Sequence, residues 1–198
     1  MTIAVVDYRA GNLTSVKMAV DRVTTGAVVT ADPDVVARAE KIILPGVGHF
    51  AATAVLTETG LRQAICESIQ RGVPFLGICV GLQWMVERSQ EAPDVPGLGI
   101  WPGECERFPA EVKSPHVGWN QLVIRNDASR LLRNVAPNSF VYFTHSYRVP
   151  LLGATVAECE YGGKFSAAVE QDNVFGVQFH PEKSGAVGLK LLENFCQL

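Results

Sequence analysis

The sequence predicts an α/β protein with a doubly wound, mainly parallel sheet that is flanked by helices and carries appended antiparallel strands. Short apolar segments alternate with segments of helical periodicity through the first half of the chain. In the second half, turn-forming pairs at 162–163 and 172–173 separate short strand-like runs. The chain has 198 residues, 47% of them hydrophobic, so we expect one domain over 1–198 with a substantial core.

The first half of the chain contains the alternating elements. Strands are predicted over the apolar runs 3–6, 27–30, 41–44 and 73–78, and helices over 13–22, 33–39, 50–56, 61–71 and 80–88. The first helix has apolar residues at helical spacing, with Asn12 as its expected N-cap. Asp32 is the expected cap of the second helix, Pro33 suits its first position, and Gly72 is expected to end the helix over 61–71.

The second half is predicted to add the antiparallel strands. These strands are expected over 121–124, 139–147, 155–161, 166–169 and 174–179, and a final helix over 188–195. Sites in parallel sheets form beyond the carboxyl ends of the strands. Asp7, the loop that begins at Pro45, and Cys79 each follow a predicted strand, so they should meet at one edge.

Composition excludes several classes of function. Charged residues make up 19% of the chain and the formal net charge is −3, so no nucleic-acid partner is expected. No apolar run approaches transmembrane length and no secretory leader is visible, so we expect a cytoplasmic protein with no membrane partner. The five cysteines are scattered and form no Cys-x-x-Cys pair, so no disulfide framework, metal or cofactor is expected.

Residues 74–83 (Pro-Phe-Leu-Gly-Ile-Cys-Val-Gly-Leu-Gln) have the form of a nucleophile elbow with cysteine in place of serine. Such a strand-to-helix turn would present Cys79 at the top of a sheet, and Gly77 and Gly81 would let it close. The start of the next helix would favour the reactive thiolate. The backbone N–H of Val80 can then serve as one oxyanion-hole donor. The alternative is that Cys79 is an ordinary buried core thiol.

Residues 174–184 contain a His-Pro-Glu sequence that favours the catalytic interpretation of Cys79. A thiolate nucleophile needs a base, and the base needs a carboxylate to orient it. His180 and Glu182 can fill these roles, with Pro181 helping to set the turn between them. His145 is the rival base, although no carboxylate is adjacent to it, and His49 and His116 are weaker rivals.

These two segments resemble the nucleophile and His/Glu motifs of the class I, triad-type glutamine amidotransferases, which have a flavodoxin-like fold. The run 44–50 (Leu-Pro-Gly-Val-Gly-His-Phe) is similar to the oxyanion-strand motif of one branch, the glutaminase subunits of imidazole glycerol phosphate synthases. The segments 7–12, 115–120 and 142–147 also resemble that branch, and the resemblance extends over about 3–195.

The resemblance implies an enzyme that hydrolyses glutamine to glutamate and ammonia with a Cys79, His180 and Glu182 triad. It implies heterodimer formation with a (β/α)₈ barrel cyclase, which would use the ammonia to make imidazole glycerol phosphate and aminoimidazole carboxamide ribotide in histidine biosynthesis. The remaining implied residues are Val47, Gly48 and Val80 in the oxyanion hole, Gly46, Gln83, Ser146 and Tyr147 at the substrate, and Asn12, Trp119, Tyr142 and Lys183 at the partner interface or relay.

Three other functions remain open at this point. The first is the glutaminase of pyridoxal phosphate synthase, which would have a different barrel partner. The others are a stand-alone γ-glutamyl hydrolase and a non-catalytic binding subunit. Arg9 stands at a position where the family often has glycine. This difference bears on the backbone geometry of the loop after the first strand.

Overall fold

The structure is a computed structural model that describes residues 2–198. Its strands are β1 (Ile3–Val6), β2 (Ala27–Thr30), β3 (Lys41–Gly46), β4 (Phe75–Cys79), β5 (Val86–Ser89), β6 (Trp101–Arg107), β7 (His116–Gln121), β8 (Val123–Ile124), β9 (Phe140–His145), β10 (Tyr147–Arg148), β11 (Thr155–Glu160), β12 (Lys164–Gln171) and β13 (Val174–Val177). Its α-helices are α1 (Leu13–Asp21), α2 (Pro33–Ala37), α3 (Ala54–Glu58), α4 (Leu61–Gln70), α5 (Val80–Gln83) and α6 (Gly185–Cys196). Short 3₁₀ turns cover Phe50–Thr53 and Pro181–Lys183.

The main sheet has the predicted doubly wound arrangement. Its strand order within the described residues is β2-β1-β3-β4-β13-β12-β11-β8. The first five strands in that order run parallel, so their carboxyl ends share one edge. Helix α1 packs against α6, and α2 packs against α4, which gives the sheet a helical layer on each face.

The antiparallel part of the sheet differs from the prediction at two places. The run predicted over 139–147 forms β9 and β10, which lie outside the main sheet, and β13 differs in its pairing. Strands β12, β11 and β8 are antiparallel additions, as expected. The expectation is wrong for β13, which pairs in parallel with β4 on one side and antiparallel with β12 on the other. All four residues of β13 are buried, which is typical of a strand in the interior of a sheet.

Helix α5 is much shorter than the helix predicted over 80–88. It ends at Gln83, and the following segment forms β5, which pairs in parallel with β6. Strand β6 lies in a proline- and glycine-rich stretch in which no strand was predicted. Strand β7 was also missed, and it forms a separate two-stranded ribbon with β9. In these cases pairing between distant segments outweighs local propensity.

The first turns of α1 and α2 show that a side chain caps a helix only where the backbone conformation of the cap residue allows it. The Asp32 carboxylate accepts a hydrogen bond from the backbone N–H of Asp34, as predicted. Asn12 is the N-cap residue of α1, as predicted, but its side chain makes no capping hydrogen bond. Asn12 has φ −90° and ψ 63°, outside the extended conformation that directs a cap side chain onto the first turn. No helix within residues 2–198 is both long and apolar enough to span a membrane.

The close approach of Gly81 to β3 fixes α5 against the sheet. A Cβ on Gly81 would lie 2.1 Å from the Leu44 carbonyl oxygen, and a Cβ on Gly77 would lie 2.6 Å from the Gly81 backbone. Both obstacles are backbone atoms, so a side chain could be accommodated only by moving β3, β4 or α5. The two glycines therefore let the chain turn directly from β4 into α5.

We predict that Gly81→Ala lowers the free energy of unfolding by about 3 kcal/mol, because overpacking against backbone cannot relax cheaply. Gly153→Ala is the matched control, since a Cβ there meets nothing within 4 Å and its φ lies outside the left-handed region. Urea unfolding of both variants checks the prediction. Equal midpoints for the two variants would show that the α5 contact is not rigid.

Candidate active site

Cys79 occupies a strained turn between β4 and α5. Its φ of 55° and ψ of −106° are unusual for a residue with a side chain, as expected for a nucleophile elbow. The residue is 3% exposed and lies at the carboxyl-end edge of the parallel strands. Because α5 contains only four residues, the dipole of a longer helix does not act here. The free N–H groups of its first turn remain available to an anion.

His180 and Glu182 form a buried pair beside this turn. His180 follows β13, which is the neighbour of β4, and its Nδ1 lies 2.9 Å from Oε1 of Glu182. Both side chains are 1% exposed. The 3₁₀ turn that begins at Pro181 brings the carboxylate back to the ring, as the sequence predicted. The backbone N–H of His180 donates to the Tyr142 carbonyl at 2.9 Å, which fixes the ring position from β9.

The electrostatics of this pair favour a proton on His180. Burial acts to lower the pKa of His180, but the negative charge of Cys79 and the hydrogen bond and charge of Glu182 outweigh burial and raise the pKa to about 10. Among the described residues, Nε2 has no conventional hydrogen-bond partner, and Glu182 occupies the other ring nitrogen. The site is therefore suited to hold a thiolate and an imidazolium as an ion pair.

Cys79 opens into a cavity of ≈ 210 Å³, a volume suited to a small molecule. The lining residues are Val47, Gly48, Cys79, Val80, Gln83, Glu91, Pro115, Thr144, His145, Ser146 and Tyr147. The structure thus brings all but one of the predicted oxyanion and substrate residues together. The exception is Gly46, which pairs with Cys79 in the sheet and is packed against Val80 and Gly81.

The side chain of Gln83 is already engaged within the protein. Its Nε2 donates to the Tyr147 carbonyl at 2.8 Å and to Oε1 of Gln178 at 3.2 Å. Both amide hydrogens are therefore used, and only Oε1 of Gln83 is left for a ligand. Gln178 in turn donates from Nε2 to Sγ of Cys79 at 3.5 Å.

Gln178 is a residue of the site that the sequence analysis did not assign. It is fully buried, and its hydrogen bond suits a sulfur that carries negative charge. The signal was present in the sequence, because Gln178 lies two positions before His180 in an extended segment. Alternate positions of such a segment share a face.

The loop after β3 lines the cavity beside Cys79 with Val47 and Gly48. Strand β3 continues to Gly46, two residues beyond the predicted end. Gly48 then has φ 103°, in the region that favours glycine. A Cβ on Gly46 would lie 2.8 Å from the Tyr8 hydroxyl, which is buried without a partner in residues 2–198. Burial, and next the charge of Cys79, raise the pKa of Tyr8 well above its usual value.

The other three histidines are unsuited to act as the base. Nδ1 of His49 accepts the backbone N–H of Ala51 at 3.1 Å and so caps a 3₁₀ turn. Burial lowers the pKa of His145 to about 3 and that of His116 to about 4. Their Nδ1 atoms face the Tyr147 carbonyl and the other histidine respectively, and not a carboxylate. The structure therefore favours His180 over its rivals.

Three of the four predicted interface residues form one exposed cluster. Trp119 on β7 and Tyr142 on β9 are paired in register, with ring centroids 6.0 Å apart. The Lys183 ammonium lies 5.7 Å from the Tyr142 ring centroid. Trp119 is 55% exposed, and Val117 and Phe140 on the same ribbon are also exposed. Asn12 lies elsewhere in the fold, at the start of α1, a helix that packs against the Pro181–Lys183 turn.

Arg9 adopts the left-handed backbone conformation, with φ 65°. Its N–H donates to the Asp7 side chain at 2.8 Å, which stabilises the turn after β1. Glycine adopts this conformation without a steric cost, so arginine in place of glycine adds a small backbone strain to the first loop. Within residues 2–198, no group of three or more His, Cys, Asp or Glu side chains is arranged to hold a metal ion.

A thiol at a strand-to-helix turn, with a histidine–carboxylate pair just after the neighbouring parallel strand, is an arrangement typical of α/β enzymes that use a cysteine nucleophile. Comparison with known families specifies the class further. The sequence profile described as Glutamine amidotransferase class-I matches residues 5–198. The chain belongs to this family of glutamine amidotransferases.

Similar proteins cover almost the whole chain. The chain is 45% identical to imidazole glycerol phosphate synthase subunit HisH of Methanothermobacter thermautotrophicus, over 99% of this chain and 98% of the relative. It is 46% identical to the HisH subunit of Thermococcus kodakarensis, over 99% of this chain and 100% of the relative. The HisH subunit of Moorella thermoacetica is also 46% identical, with 99% and 94% covered.

Solved structures share the fold at lower identity. A crystal structure of a glutamine amidotransferase has a TM-score of 0.77 at 19% identity, covering 99% of this chain and 100% of that chain. The structure of PurLQS from Thermotoga maritima has a TM-score of 0.76 at 20% identity, covering 99% and 97%. At this level of identity the likeness describes the architecture alone.

We predict that Cys79→Ala lowers the pKa of His180 by at least about one unit, because removing a nearby opposite charge typically shifts a pKa by 1–3 units. The wild-type ring should lose its proton only as the pH rises through about 10, and the variant ring at a lower pH. Titration of ¹⁵N-histidine by NMR measures both values, with His180→Asn identifying the signal. An unchanged pKa in Cys79→Ala would show that Cys79 and His180 are not paired.

Proposed function

We propose that this chain is the glutaminase subunit of an imidazole glycerol phosphate synthase. It would hydrolyse glutamine to glutamate and ammonia for use in histidine biosynthesis. The observation that carries the proposal is that Cys79, which lines the cavity, ends the strand next to β13, and β13 leads into the buried His180–Glu182 pair whose pKa the charge of Cys79 raises. The names of the HisH relatives, at 45% and 46% identity over nearly the full chain, support this branch over a pyridoxal phosphate synthase subunit or a γ-glutamyl hydrolase. An intact triad argues against a non-catalytic subunit.

The first chemical step is attack by Cys79 on the side-chain carboxamide carbon of glutamine. The sulfur–carbon bond forms as the carbon–nitrogen bond breaks, and the imidazolium of His180 gives its proton to the departing nitrogen to release ammonia. Neutral His180 then takes a proton from water, which attacks the thioester and releases glutamate. Glu182 holds the Nδ1–H of His180, and so directs Nε2 toward the sulfur and the leaving group.

Negative charge develops on the carboxamide oxygen during both steps. The Val80 N–H, at the start of α5, is one donor to this oxygen. The peptide between Val47 and Gly48 supplies the second donor when its N–H points into the cavity. Gly46 acts sterically, because its lack of a side chain lets β3 approach the elbow.

Glutamine itself would be held by the opposite wall of the cavity. Ser146, which lies between β9 and β10, and Tyr147, the first residue of β10, line that wall. Oε1 of Gln83, its one unengaged polar atom, is suited to accept a hydrogen bond from the substrate α-amino group. We infer no cofactor, because thiolate chemistry with a histidine–carboxylate pair requires none.

The partner would be a (β/α)₈ barrel cyclase that forms a heterodimer with this chain. It would combine the ammonia with its own substrate to give imidazole glycerol phosphate and aminoimidazole carboxamide ribotide. The cluster of Trp119, Tyr142 and Lys183 is the proposed docking surface, since exposed aromatic side chains beside a cation are typical interface anchors. Asn12, which lies outside this cluster, is assigned to the partner interface or relay on the family resemblance alone.

We infer that residues 1–198 form one glutamine amidotransferase domain, which is supported by a single hydrophobic core that includes all parts of the large sheet. A cytoplasmic location is proposed with it. All five cysteines are unpaired, which is typical of proteins in reducing compartments.

We predict that Cys79→Ala abolishes glutamine-dependent synthesis by the complex with the barrel partner, but leaves ammonia-dependent synthesis intact. The nucleophile serves only ammonia release, and its loss should cost about 10⁵-fold or more in glutamine turnover. Both activities are measured on the assembled complex, with wild type as the control. A complex that free ammonia could not rescue would contradict the proposed division of labour between the subunits.

We also predict that Gly48→Ala changes the dependence on the partner more than the affinity for glutamine. A Cβ there has open space, so the effect must come from its φ of 103°, which disfavours alanine and biases the Val47–Gly48 peptide. One oxyanion donor is worth on the order of 10²–10³ in rate, a suitable range for an allosteric switch.

Gly103→Ala is the matched control for this loop, because it has φ +123° and similarly open space on β6. Glutamine hydrolysis is measured for both variants with and without the partner. If Gly48→Ala behaved like the control, the switch would lie elsewhere, and Lys183 beside Glu182 would be the next residue to test.

A further inference from the structure

His116 and His145 form a buried pair that the mechanism does not use. They are register partners on the β7–β9 ribbon, and Nδ1 of His116 lies 3.1 Å from Nε2 of His145. Both rings are enclosed by the aromatic side chains of Phe108, Phe143 and Phe165, and Tyr161 stacks on His116. Burying two polar rings among apolar side chains costs free energy of folding unless the ring nitrogens are hydrogen-bonded.

The proton positions of His145 follow from its neighbours. Nδ1 of His145 lies 2.8 Å from the Tyr147 carbonyl oxygen, which can only accept, so this nitrogen carries the hydrogen. Burial lowers the pKa of His145 to about 3, so the ring is neutral near pH 7. Nε2 then has no hydrogen and must accept one from Nδ1 of His116.

The proton positions of His116 follow in the same way. Burial lowers its pKa to about 4, so Nε2 is bare and accepts from Nδ2 of Asn120 at 3.4 Å. The orientation of the Asn120 amide is fixed as well. Its Nδ2 also donates to the Glu160 carbonyl at 3.1 Å, and its Oδ1 accepts the Gln121 N–H at 2.8 Å. All three donors therefore point in one direction, from Asn120 to the Tyr147 carbonyl.

The Tyr147 carbonyl joins this series of hydrogen bonds to the glutamine cavity. It accepts from His145 and from Nε2 of Gln83, so both of its lone pairs are used. Gln83 continues through Gln178 to the sulfur of Cys79. The ribbon that carries the proposed docking surface is thus connected to the nucleophile without a break.

We propose that His116 and His145 are positioning residues of the glutamine site. Their fixed tautomers hold the Tyr147 carbonyl where it can receive the Gln83 amide, and so keep the oxygen of Gln83 turned toward the substrate. Neither histidine exchanges a proton with glutamine. The inference rests on the glutaminase function proposed above, but its spectroscopic test does not need activity.

That test is the tautomer of each ring in the wild-type chain. Long-range ¹H–¹⁵N correlation spectra near pH 7 should show both His116 and His145 neutral, with the hydrogen on Nδ1. His116→Phe and His145→Phe assign the signals. A hydrogen on Nε2 of His145, or a charged ring, would overturn the proposal whatever the enzyme does.

The kinetic test compares His116→Phe with His116→Asn. Phenylalanine keeps a ring against Tyr161 but removes the donor to His145, whereas asparagine can place an N–H near the position of Nδ1. We expect His116→Phe to lower kcat/KM for glutamine about tenfold, the size of one lost buried hydrogen bond, mainly by raising KM. His116→Asn should recover most of that loss. Ammonia-dependent synthesis by the assembled complex should be unchanged in both variants.

Tyr161→Phe is the control for disturbance of the aromatic enclosure. It keeps the stacked ring and loses only a hydrogen bond to the Lys113 carbonyl, so glutamine kinetics should not change. Equal losses in the two His116 variants would overturn the proposal in favour of ring packing. Loss of ammonia-dependent synthesis in His116→Phe would overturn it in favour of a role in assembly. A wild-type complex that failed to use glutamine would instead contradict the proposed function and leave the tautomer result standing.

Discussion

The contact between the Gly81 backbone and the Leu44 carbonyl is the constraint on which the rest of the site depends. With no side chain at Gly81, α5 lies directly against β3, and the chain must turn within the last residue of β4. That residue is Cys79, and its left-handed φ is the result of the tight turn. The same approach brings the loop after β3 beside the sulfur, so the nucleophile and both proposed oxyanion donors are positioned by one packing contact.

The charges around the histidines of the site decide whether each ring carries a proton near pH 7. His180 is buried next to two anionic groups, and its raised pKa keeps a proton available for the leaving nitrogen. His145 is buried among aromatic rings, and its pKa falls to about 3. Burial lowers the pKa of both rings, and the neighbouring charges decide which one carries a proton near pH 7. The two side chains are chemically identical, but their surroundings shift their pKa values in opposite directions.

The parallel half of the fold and the triad could be predicted from the sequence because their signals are local. Apolar runs, turn glycines and the His-Pro-Glu spacing each act over a few residues, and the parallel sheet then brings strand ends together. Strands β5, β6 and β7 could not be predicted in this way, because they are stabilised by partners distant in the chain. The same is true of Gln178 and of the His116–His145 pair, whose importance depends on which side chains they face. The position of the Asn12 cap was predictable, but its missing side-chain hydrogen bond was not, since that bond requires a backbone conformation that composition does not specify.

The position of β13 has a consequence for how the enzyme is made. This strand comes late in the chain, yet it is inserted between β4 and β12 in the centre of the sheet. Pairings between such distant segments form slowly, and until β13 arrives the edge of β4 is unpaired and Cys79 has no histidine beside it. A ribosome-bound or truncated chain would carry the thiol without the residues that activate it. On the proposed mechanism, glutamine breakdown therefore begins only when the central sheet is complete.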